Sequence, residues 1–581
     1  MDTPRELPAR RGFSVSYRGK TLLSRIDPVA QGERLAAEIP AKERTLYFCP
    51  SPLYGYGLSL FLERLRTDAQ LKQSAVLCVE ADEQLFDITK KAFSGITASL
   101  GATTGSGNML HLALTRVSDP EGVCAFVRKT WGERRFRRVE LIRLTGGWQL
   151  FPGLYEETAL ALRRELAVEW GNAMTLIRLG RLYSRNLIRN LALLRSSKNT
   201  GALNYGSSPV LVLGAGPSLD PLLDVFSALS GGRIKSPGRR GFKIICADTC
   251  LPALHERAIL PDLAVILESQ HWNLRDFSGA RGRKIDAALD LSALPGSARI
   301  LGGERFFFAT PWTGLALIRR LEEAGLLPQT FPPLGSVGLS AVALALGISS
   351  GPVFTAGIDF SYTLDAYHAR STPGHGDLER RQNRFRSIIN AGAAFRDGTF
   401  TALSKTGAAV RSDPAMRNYR NLFEQEFSAN PRITDIAGPG LPLGVKTVTP
   451  EEAFAILNRK GTASPGKIAH NEAAQTTAGQ IAAFIRRERD TLVLLRGMLS
   501  GESPMDPARL EELLDTADYL WAHFPECAGA GRRPPSSNLG FLKRVRAEIE
   551  PFLKCWEMAL RELEKETREK NKPRSTQSSR S

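Results

Sequence analysis

The chain has 581 residues, of which 43% are hydrophobic, 24% charged and 8% aromatic, and its formal net charge is +17. This composition is typical of globular proteins, and it excludes a chain that is disordered throughout, a collagen-like repeat and a coiled-coil rod. No uncharged apolar run approaches the roughly 20 residues that a membrane-spanning helix needs. The first residues also lack the apolar core of a signal peptide, so we expect a cytoplasmic protein without a membrane partner.

The excess of basic residues favours an anionic partner. The lysines and arginines are dispersed among acids, however, and no RNA-binding aromatic signature or recognition-helix pattern accompanies them. A basic surface with a site for a nucleotide or an acidic protein is therefore favoured over a specific nucleic-acid partner. The seven cysteines and seven histidines show neither a disulfide framework nor a metal-ligand spacing, so no metal site is predicted.

Residues 1–195 are predicted to form an N-terminal α/β domain that ends in a helical connector. An apolar strand at Thr45–Cys49 is followed by Gly55 and Gly57, by a helical stretch, and by a second strand at Ala75–Val79. This order makes the first half of a nucleotide-binding βαβ unit. Because the third glycine of that fingerprint is missing, we interpret the unit as structural.

Residues 196–460 carry the clearest pattern, since strands alternate there with helices. Strands are predicted at Pro209–Leu213, Phe242–Ala247, Leu263–Ser269, Ala298–Leu301 and Pro352–Ala356. This alternation predicts a doubly wound parallel sheet, and hence an α/β fold with a central Rossmann-like domain.

The remaining residues show no strand pattern. Helical periodicity over residues 461–570 predicts a C-terminal helical domain. Residues 571–581 are polar and basic, which predicts a disordered tail.

The turn after the first central strand is a candidate phosphate site. It contains Gly214, Gly216, Pro217 and Ser218. Glycines allow an anion to approach the backbone, and the N-terminus of the following helix adds positive potential. Ser218 is expected to cap that helix and to donate to a phosphate oxygen. A tight turn without a ligand is the alternative, but two glycines, a proline and a serine together favour phosphate binding.

Polar residues also follow the other strands. Asp248 and Thr249 end the second central strand, where Rossmann folds often hold a ribose hydroxyl. A role for Asp248 in capping the next helix is an equal alternative. Glu268 and Gln270 end the third strand at the same sheet edge and are candidate substrate contacts, as is Ser336 at the start of an apolar helix.

A cluster of titratable residues follows the strand at Pro352–Ala356. Asp359, Tyr362, Tyr367 and His368 lie just beyond it, and His375 comes soon after. Tyrosine hydroxyls can stabilise a departing phosphate, and histidine is an acid or base near neutral pH. The crowding beside a strand end favours a chemical role for His368 more than for His375.

These segments together resemble a known family. The stretches GAGPSLD, ADTCLPALHERAILPDLAVILES, GSVGLSAVALALG and TAGIDFSYTLDAYHA are similar to the central domain of the motility accessory factor proteins. That domain is shared with the archaeal, MptE-like 6-hydroxymethylpterin diphosphokinases. A more distant resemblance links the Gly-Pro-Ser-Leu turn and the Gly-Ile-Asp-Phe strand end to bacterial CMP-sialic-acid transferases.

The resemblance implies a glycosyltransferase that moves a nonulosonic (sialic-like) acid from a CMP-sugar to serine or threonine of flagellin, in support of flagellar assembly and motility. The phosphate is then expected on Gly214–Ser218 and the nucleoside near Asp248. Tyr362 or Tyr367 stabilises the leaving CMP, and His368 acts as base or phosphate donor. In the sialyltransferase pattern the second tyrosine falls on Tyr367, whereas the first falls on Ser361 unless the register slips by one residue to Tyr362.

Two alternatives stay open. One is a Mg²⁺-dependent diphosphokinase acting on a pterin-like alcohol, for which Asp220, Asp248 and Asp359 are possible metal ligands. The other is a non-catalytic scaffold that binds flagellin. No cofactor is firmly implied, and Mg²⁺ belongs only to the diphosphokinase alternative.

Overall fold

The computed structural model describes residues 3–99, 111–117, 119–132, 135–231, 234, 240–311, 314–391, 396–458, 477–530 and 533–570. The chain forms two compact units, Met1–Gly180 with Trp521–Pro535, and Arg181–Leu520 with Ser536–Ser581. The domain boundaries predicted above stay predictions, and the predicted tail at 571–581 lies outside the described residues. None of the helices within the described ranges has the length and apolarity that crossing a bilayer requires.

The first unit is built on a four-stranded parallel sheet. Its elements are β1 (Arg5–Pro8), β2 (Phe13–Tyr17), β3 (Lys20–Thr21), α1 (Pro28–Glu38), β4 (Thr45–Pro50), α2 (Leu58–Thr67), β5 (Ala75–Glu80), α3 (Glu83–Ser99), β6 (Leu112–Arg116), α4 (Pro120–Trp131), β7 (Arg138–Leu141) and the start of α5 (Pro152–Leu191). The strand order is β6-β5-β4-β7, and β1–β3 form a separate antiparallel sheet. Every residue of β4 and β5 is buried, which is why these runs are continuously apolar rather than alternating.

The second unit contains a nine-stranded sheet. Its elements up to residue 457 are β8 (Lys198–Asn199), β9 (Val210–Leu213), α6 (Leu219–Ser230), β10 (Lys243–Ala247), α7 (Leu251–Glu256), β11 (Leu263–Ile266), β12 (Asp286–Asp290), β13 (Arg305–Phe308), α8 (Ala316–Glu323), α9 (Val337–Ile348), β14 (Val353–Ala356), α10 (Pro373–Arg381), α11 (Ile388–Ala391), β15 (Phe400–Leu403), β16 (Ala409–Ser412), α12 (Pro414–Phe427), β17 (Ile433–Ile436), β18 (Lys446–Val448) and α13 (Pro450–Leu457). The strand order is β18-β17-β14-β9-β10-β11-β12-β13-β8. All neighbouring strands pair in parallel. The predicted α/β fold with a central, Rossmann-like parallel sheet is confirmed.

One predicted strand is wrong. Residues 298–301 do not join the sheet, because Ser297–Arg299 form a 3-10 turn, and the strand follows at Arg305–Phe308. Gly303 makes this register possible, since a Cβ there would lie 2.2 Å from the carbonyl oxygen of Ile285. The short run before the glycines is thus a turn, in which Ala298 and Leu301 are buried.

The C-terminal part of the chain is helical, as the periodicity predicts. Its helices are α14 (Ala478–Ser500), α15 (Pro507–Thr516), α16 (Pro525–Ala530) and α17 (Leu539–Lys570). Within the second unit, Arg320 of α8 forms two 2.8 Å bonds with the buried carboxylate of Glu488 on α14. Removing one partner of such a buried pair leaves an uncompensated charge and costs about 3–5 kcal/mol, so this pair fixes α14 against α8.

The order of the central strands locates the place where a ligand is expected. The chain passes from β9 through α6 to β10 on one side, whereas β14, on the other side of β9, comes much later in the chain. Strand order therefore reverses beside β9. In open α/β sheets, ligands bind outside the carboxyl ends of the strands at such a point.

Candidate functional site

The turn after β9 is pressed against the exit of β14. The Gly216 amide donates to the carbonyl oxygen of Gly357 at 2.8 Å. A Cβ at Gly214 would lie 2.4 Å from that same oxygen, and a Cβ at Gly216 would lie 2.5 Å from Oδ2 of Asp359. The two glycines are therefore required because the neighbouring strand exit approaches the turn so closely.

The anion at the N-terminus of α6 is a carboxylate of the chain itself. Ser218 donates from its amide to Oδ2 of Asp359 at 2.7 Å and from its hydroxyl to Oδ1 at 2.6 Å. Both residues are buried. The predicted capping of α6 by the Ser218 side chain is wrong, because that hydroxyl is committed to Asp359. Pro217 is buried beside it, and the Ala215 amide donates to none of the described residues.

His368 lies directly on this turn. Its Nδ1 is 3.2 Å from the carbonyl oxygen of Ala215, and the Ala369 amide donates to the same oxygen at 2.9 Å. Because a carbonyl only accepts, Nδ1 carries the proton and Nε2 keeps a free lone pair. Burial lowers the pKa of His368, so the imidazole is neutral near pH 7. The two motifs singled out in the sequence are thus brought together, with the histidine in the form of a base.

The two tyrosines differ in what they contact. Tyr362 is buried, and its hydroxyl donates to Oδ2 of Asp413 at 3.0 Å; burial and this carboxylate raise its pKa. Tyr367 is half-buried, with its ring centroid 4.7 Å from that of His368, and no described residue hydrogen-bonds its hydroxyl. The guanidinium of Arg396 lies 5.8 Å from the Tyr367 ring centroid. Tyr367 therefore has a hydroxyl to offer a ligand, and Tyr362 does not.

His375 is held inside α10. It is buried, and its Nε2 lies 3.3 Å from a carboxylate oxygen of Glu379 one turn further on. Its position is thus fixed by an interaction within the helix, in contrast to His368.

A second polar group lies at the exits of β10 and β11. Oδ2 of Asp248 accepts from Nδ2 of Asn273 at 2.6 Å, and its Oδ1 accepts from the Thr249 amide at 2.9 Å. Burial and the nearby carboxylate of Asp276 raise the pKa of Asp248 to about 7. Burial likewise raises the pKa of Asp276 to about 6. Asp248 does not cap α7, whose N-cap is Cys250.

The predicted substrate residues lie at the same sheet edge. Glu268 is half-exposed, and its Oε1 accepts from the Gln270 amide at 2.9 Å. Ser336 holds the N-cap position of α9 without a side-chain cap bond. A Cβ at Gly338, in the first turn of α9, would lie 3.6 Å from the Ile358 side chain. Ser336 is therefore close to the β14 exit.

Comparisons with known proteins identify what the central part of the chain is similar to. Residues 185–365 match the family model described as 6-hydroxymethylpterin diphosphokinase MptE-like. These residues form an MptE-like domain. The chain is also similar to an uncharacterized protein from Treponema pallidum (strain Nichols), with 29% identity over 95% of this chain and 94% of that protein.

A solved structure shares the fold. The MAf glycosyltransferase from Magnetospirillum magneticum AMB-1 superposes with a TM-score of 0.53 at 14% identity, over 97% of this chain and 91% of that one. The resemblance drawn from the sequence is thus confirmed at the level of the MptE-like domain and of the motility accessory factor fold.

The MptE-like domain includes part of α5, which the sequence suggested was only a connector. Nδ2 of Asn186 donates to the carbonyl oxygens of Ser269 and Ser292, and Nδ2 of Asn190 donates to those of two further residues after β12. Tyr183 lies one turn earlier, where burial and the carboxylate of Glu268 raise its pKa to about 12. The sequence signal for this contact is the spacing of Tyr183, Asn186 and Asn190, which are three and four residues apart and therefore lie on one side of α5.

The carboxylates proposed for Mg²⁺ are separated and individually engaged. Asp359 binds Ser218, Asp248 binds Asn273, and Asp220 accepts from the Arg370 amide at 2.7 Å and pairs with Arg257 at 3.1 Å. Within the described ranges, no group of three or more His, Cys, Asp or Glu is placed to hold a metal ion. These three aspartates in the MptE-like domain therefore do not fit a shared magnesium site.

Proposed function

We propose that this chain is a glycosyltransferase that moves a nonulosonic (sialic-like) acid from a CMP-activated donor to serine or threonine hydroxyls of flagellin in the cytoplasm, in support of flagellar assembly and motility. One observation carries the proposal: at the point where strand order reverses, the β14 exit lies on the β9 turn and places His368 and Tyr367 beside Ala215. The fold shared with the MAf glycosyltransferase supports it.

In the proposed reaction, Nε2 of His368 takes the proton of the acceptor hydroxyl. The hydroxyl oxygen then forms a bond to the anomeric carbon of the donor sugar, while the bond from that carbon to the CMP phosphate oxygen breaks. Tyr367 and Arg396 face the leaving phosphate, since a hydroxyl and a guanidinium stabilise the charge that develops there. The Ala215 amide is the remaining donor of the turn.

The donor nucleoside belongs beside Asp248 and Thr249 in this scheme. With a pKa raised to about 7, the Asp248 carboxyl group exchanges its proton near neutral pH, so it can either donate a hydrogen bond to a nucleoside or accept one. Glu268, Gln270 and Ser336 then face the sugar along the same edge.

The test is a transfer assay with a CMP-activated nonulosonic acid and flagellin. Removing a general base costs about 10²–10⁴ in turnover, so His368→Ala should lower kcat by that factor and leave donor affinity within a few-fold. His271→Ala, at an exposed histidine, is the control. Unchanged turnover in His368→Ala removes the proposed role.

The diphosphokinase is a second candidate because the matching family model carries that description. A thermal-shift screen of CMP, CDP, ATP and GTP with and without Mg²⁺ separates the two, since a ligand of the native state raises Tm by mass action. Metal-independent stabilisation by CMP supports the glycosyltransferase. Stabilisation only by ATP with Mg²⁺ supports the kinase, and no shift with any nucleotide supports a non-catalytic scaffold.

A further inference from the structure

A segment beyond the carboxyl edge of the central sheet presents arginines that none of the described carboxylates neutralises. The run from Arg380 to Arg386 contains four arginines and no acid. Arg380 pairs with Asp377, but none of the described carboxylates pairs with Arg381, Arg384 or Arg386. All three are exposed, so this segment has an uncompensated positive charge.

The same segment is an ordered turn with an aromatic residue at its tip. Asn383 and Arg386 exchange two backbone hydrogen bonds of 3.0 Å, and Oδ1 of Asn383 accepts from the amides of Phe385 and Arg386 at 3.0 Å. Phe385 is 84% exposed, with the Arg384 guanidinium 4.8 Å from its ring centroid. The turn thus holds a phenyl ring and a stacked guanidinium out in solvent.

Elements linked to this segment by an ion pair or by chain continuity carry further exposed apolar side chains. Arg275 and Asp377 pair at 2.6 Å, which joins the 3-10 segment after β11 to α10. That segment exposes Trp272 and Leu274, and the segments around α10 and α11 expose Leu364 and Ile389. We call Trp272, Leu274, Leu364, Phe385, Ile389 and the three arginines the Phe385 surface.

We propose that the Phe385 surface docks an acidic protein segment that also carries aromatic or aliphatic side chains. Aromatic residues and arginine are enriched in protein interfaces and supply most of their binding energy. The unpaired guanidiniums select carboxylates, while the exposed leucines and isoleucine can gain free energy only by being covered with apolar groups. A nucleic acid would use the arginines and the rings but would leave the aliphatic side chains uncovered.

The inference goes beyond the proposed transfer reaction and does not depend on it, because it is tested by binding alone. The probe is a fluorescent random copolymer of glutamate and tyrosine, added to the full chain and followed by anisotropy. Poly-glutamate and oligouridylate serve as competitors. Phe385→Ala and the double variant Arg384→Glu, Arg386→Glu are each expected to weaken copolymer binding about tenfold, as loss of one interface anchor does.

The control variants make the same kinds of substitution at exposed positions outside the Phe385 surface. Leu539→Ala removes another exposed apolar side chain, and the double variant Lys543→Glu, Arg546→Glu makes the same charge change on exposed positions of α17. Both should keep wild-type affinity, and poly-glutamate should compete more weakly than the copolymer. Equal losses in the controls, no binding of the copolymer, or tighter Phe385-dependent binding of oligouridylate would each overturn the proposal.

Discussion

Two strand-to-helix turns hold equivalent places in the two units of the molecule, and they use their glycines differently. One follows β4 and the other follows β9, and each strand lies where the order of its sheet reverses. In the first unit, Gly57 has a φ of +87°, and a Cβ there would lie 2.2 Å from the carbonyl oxygen of Gly32. That turn is closed by the backbone of α1.

The turn after β9 is only partly closed. Asp359 fills its helix N-terminus, but Ala215 and Gly216 stay half-exposed, and His368 lies on the carbonyl of Ala215. In the first unit the corresponding residues Pro52 and Leu53, the second and third after β4, are buried. A glycine at a strand end thus indicates that another group approaches closely, whereas accessibility decides whether a ligand can approach as well.

The acids at the ends of the next strands repeat the contrast. Glu80 is the last residue of β5 in the first unit, and Asp248 directly follows β10 in the second unit. Burial raises the pKa of each carboxyl group to about 7. Glu80 is enclosed and accepts from the Tyr155 hydroxyl at 3.1 Å. Asp248 instead adjoins a second acid, Asp276, and the half-exposed Thr249. Both Glu80 and Asp248 are buried, so the half-exposed Thr249 is the group that the second arrangement presents to a nucleoside.

Among the variants at the two turns, Gly57→Ala should lose the most stability. The substitution combines a left-handed backbone, which costs about 1–2 kcal/mol for an L-residue, with a backbone clash, and overpacking costs about 1–3 kcal/mol more. We expect a loss of about 3–4 kcal/mol in urea-induced unfolding of the first unit. Gly19→Ala is the matched control, because Gly19 also has a positive φ but no atom within 4 Å of its Cβ position; it should cost about 1 kcal/mol. Equal losses in both variants would contradict the packing explanation.

Asp359→Ala tests the anion site at α6. The Ser218 amide and hydroxyl lose their acceptor, and unpaired buried donors cost about 1–3 kcal/mol. Because the helix N-terminus then lacks its anion, inorganic phosphate should raise the Tm of the variant and not of the wild type. Asp82→Ala is the control in the first unit, where Oδ1 of Asp82 accepts from the amides of Gln84 and Leu85. A phosphate-independent Tm in Asp359→Ala would contradict the assignment.

Much of the fold follows from the sequence, because buried parallel strands are continuous apolar runs. The runs at Thr45–Cys49, Ala75–Val79 and Pro209–Leu213 are confirmed as strands for this reason. The short run at 298–301 is apolar apart from Arg299, yet it forms a turn, since the hydrophobicity of four residues does not determine whether they pair with a neighbouring strand. The local sequence pattern therefore predicts which segments are buried better than it predicts which of them pair as strands.

The site was less predictable because its decisive contacts are long-range. The bond between Ser218 and Asp359 joins residues 141 positions apart, so no local pattern predicts that the chain's own carboxylate fills the predicted phosphate site. The approach of His368 to Ala215 has the same origin. The sequence does show which polar residues follow the strands, and a parallel sheet brings those strand ends together at one edge.

The strand-end acids predict a pH dependence of stability with a defined sign. A carboxyl group has an unfolded pKa near 4, and Glu80 and Asp248 titrate at about 7 in the folded state. The native state therefore binds more protons between these values, and their contribution to stability falls as pH rises from about 4 to about 7. Glu80→Gln and Asp248→Asn should each flatten this fall and gain up to about 4 kcal/mol relative to wild type between pH 4 and pH 8, measured by urea unfolding.

A ligand should distinguish these two acids. CMP bound beside Asp248 should change the pH dependence of Tm in wild type and in Glu80→Gln, but not in Asp248→Asn. Loss of the effect in Glu80→Gln instead would place the nucleotide in the first unit and reverse the comparison between the two turns.

The smallest predicted effect concerns tyrosines beside the two turns. None of the described residues bonds the Tyr367 hydroxyl, which lies next to His368. Tyr367→Phe should therefore lower kcat for transfer about tenfold, which equals about 1.4 kcal/mol of lost transition-state stabilisation. Tyr56 lies at the turn of the first unit, where its hydroxyl accepts from the Phe13 amide at 2.8 Å. Tyr56→Phe should therefore reduce stability slightly and leave kcat unchanged.

Tyr362→Phe completes this test, because Tyr362 and Tyr367 adjoin each other with ring centroids 5.0 Å apart. The Tyr362 hydroxyl is committed to Asp413, so its loss should lower stability and change kcat less than the loss at Tyr367 does. If Tyr362→Phe lowers kcat as much as Tyr367→Phe while Tm stays constant, Asp413 releases the Tyr362 hydroxyl when the donor binds. The leaving phosphate would then face both tyrosines, as in the pattern of the sialic-acid transferases, and the β14 exit would have to rearrange on binding.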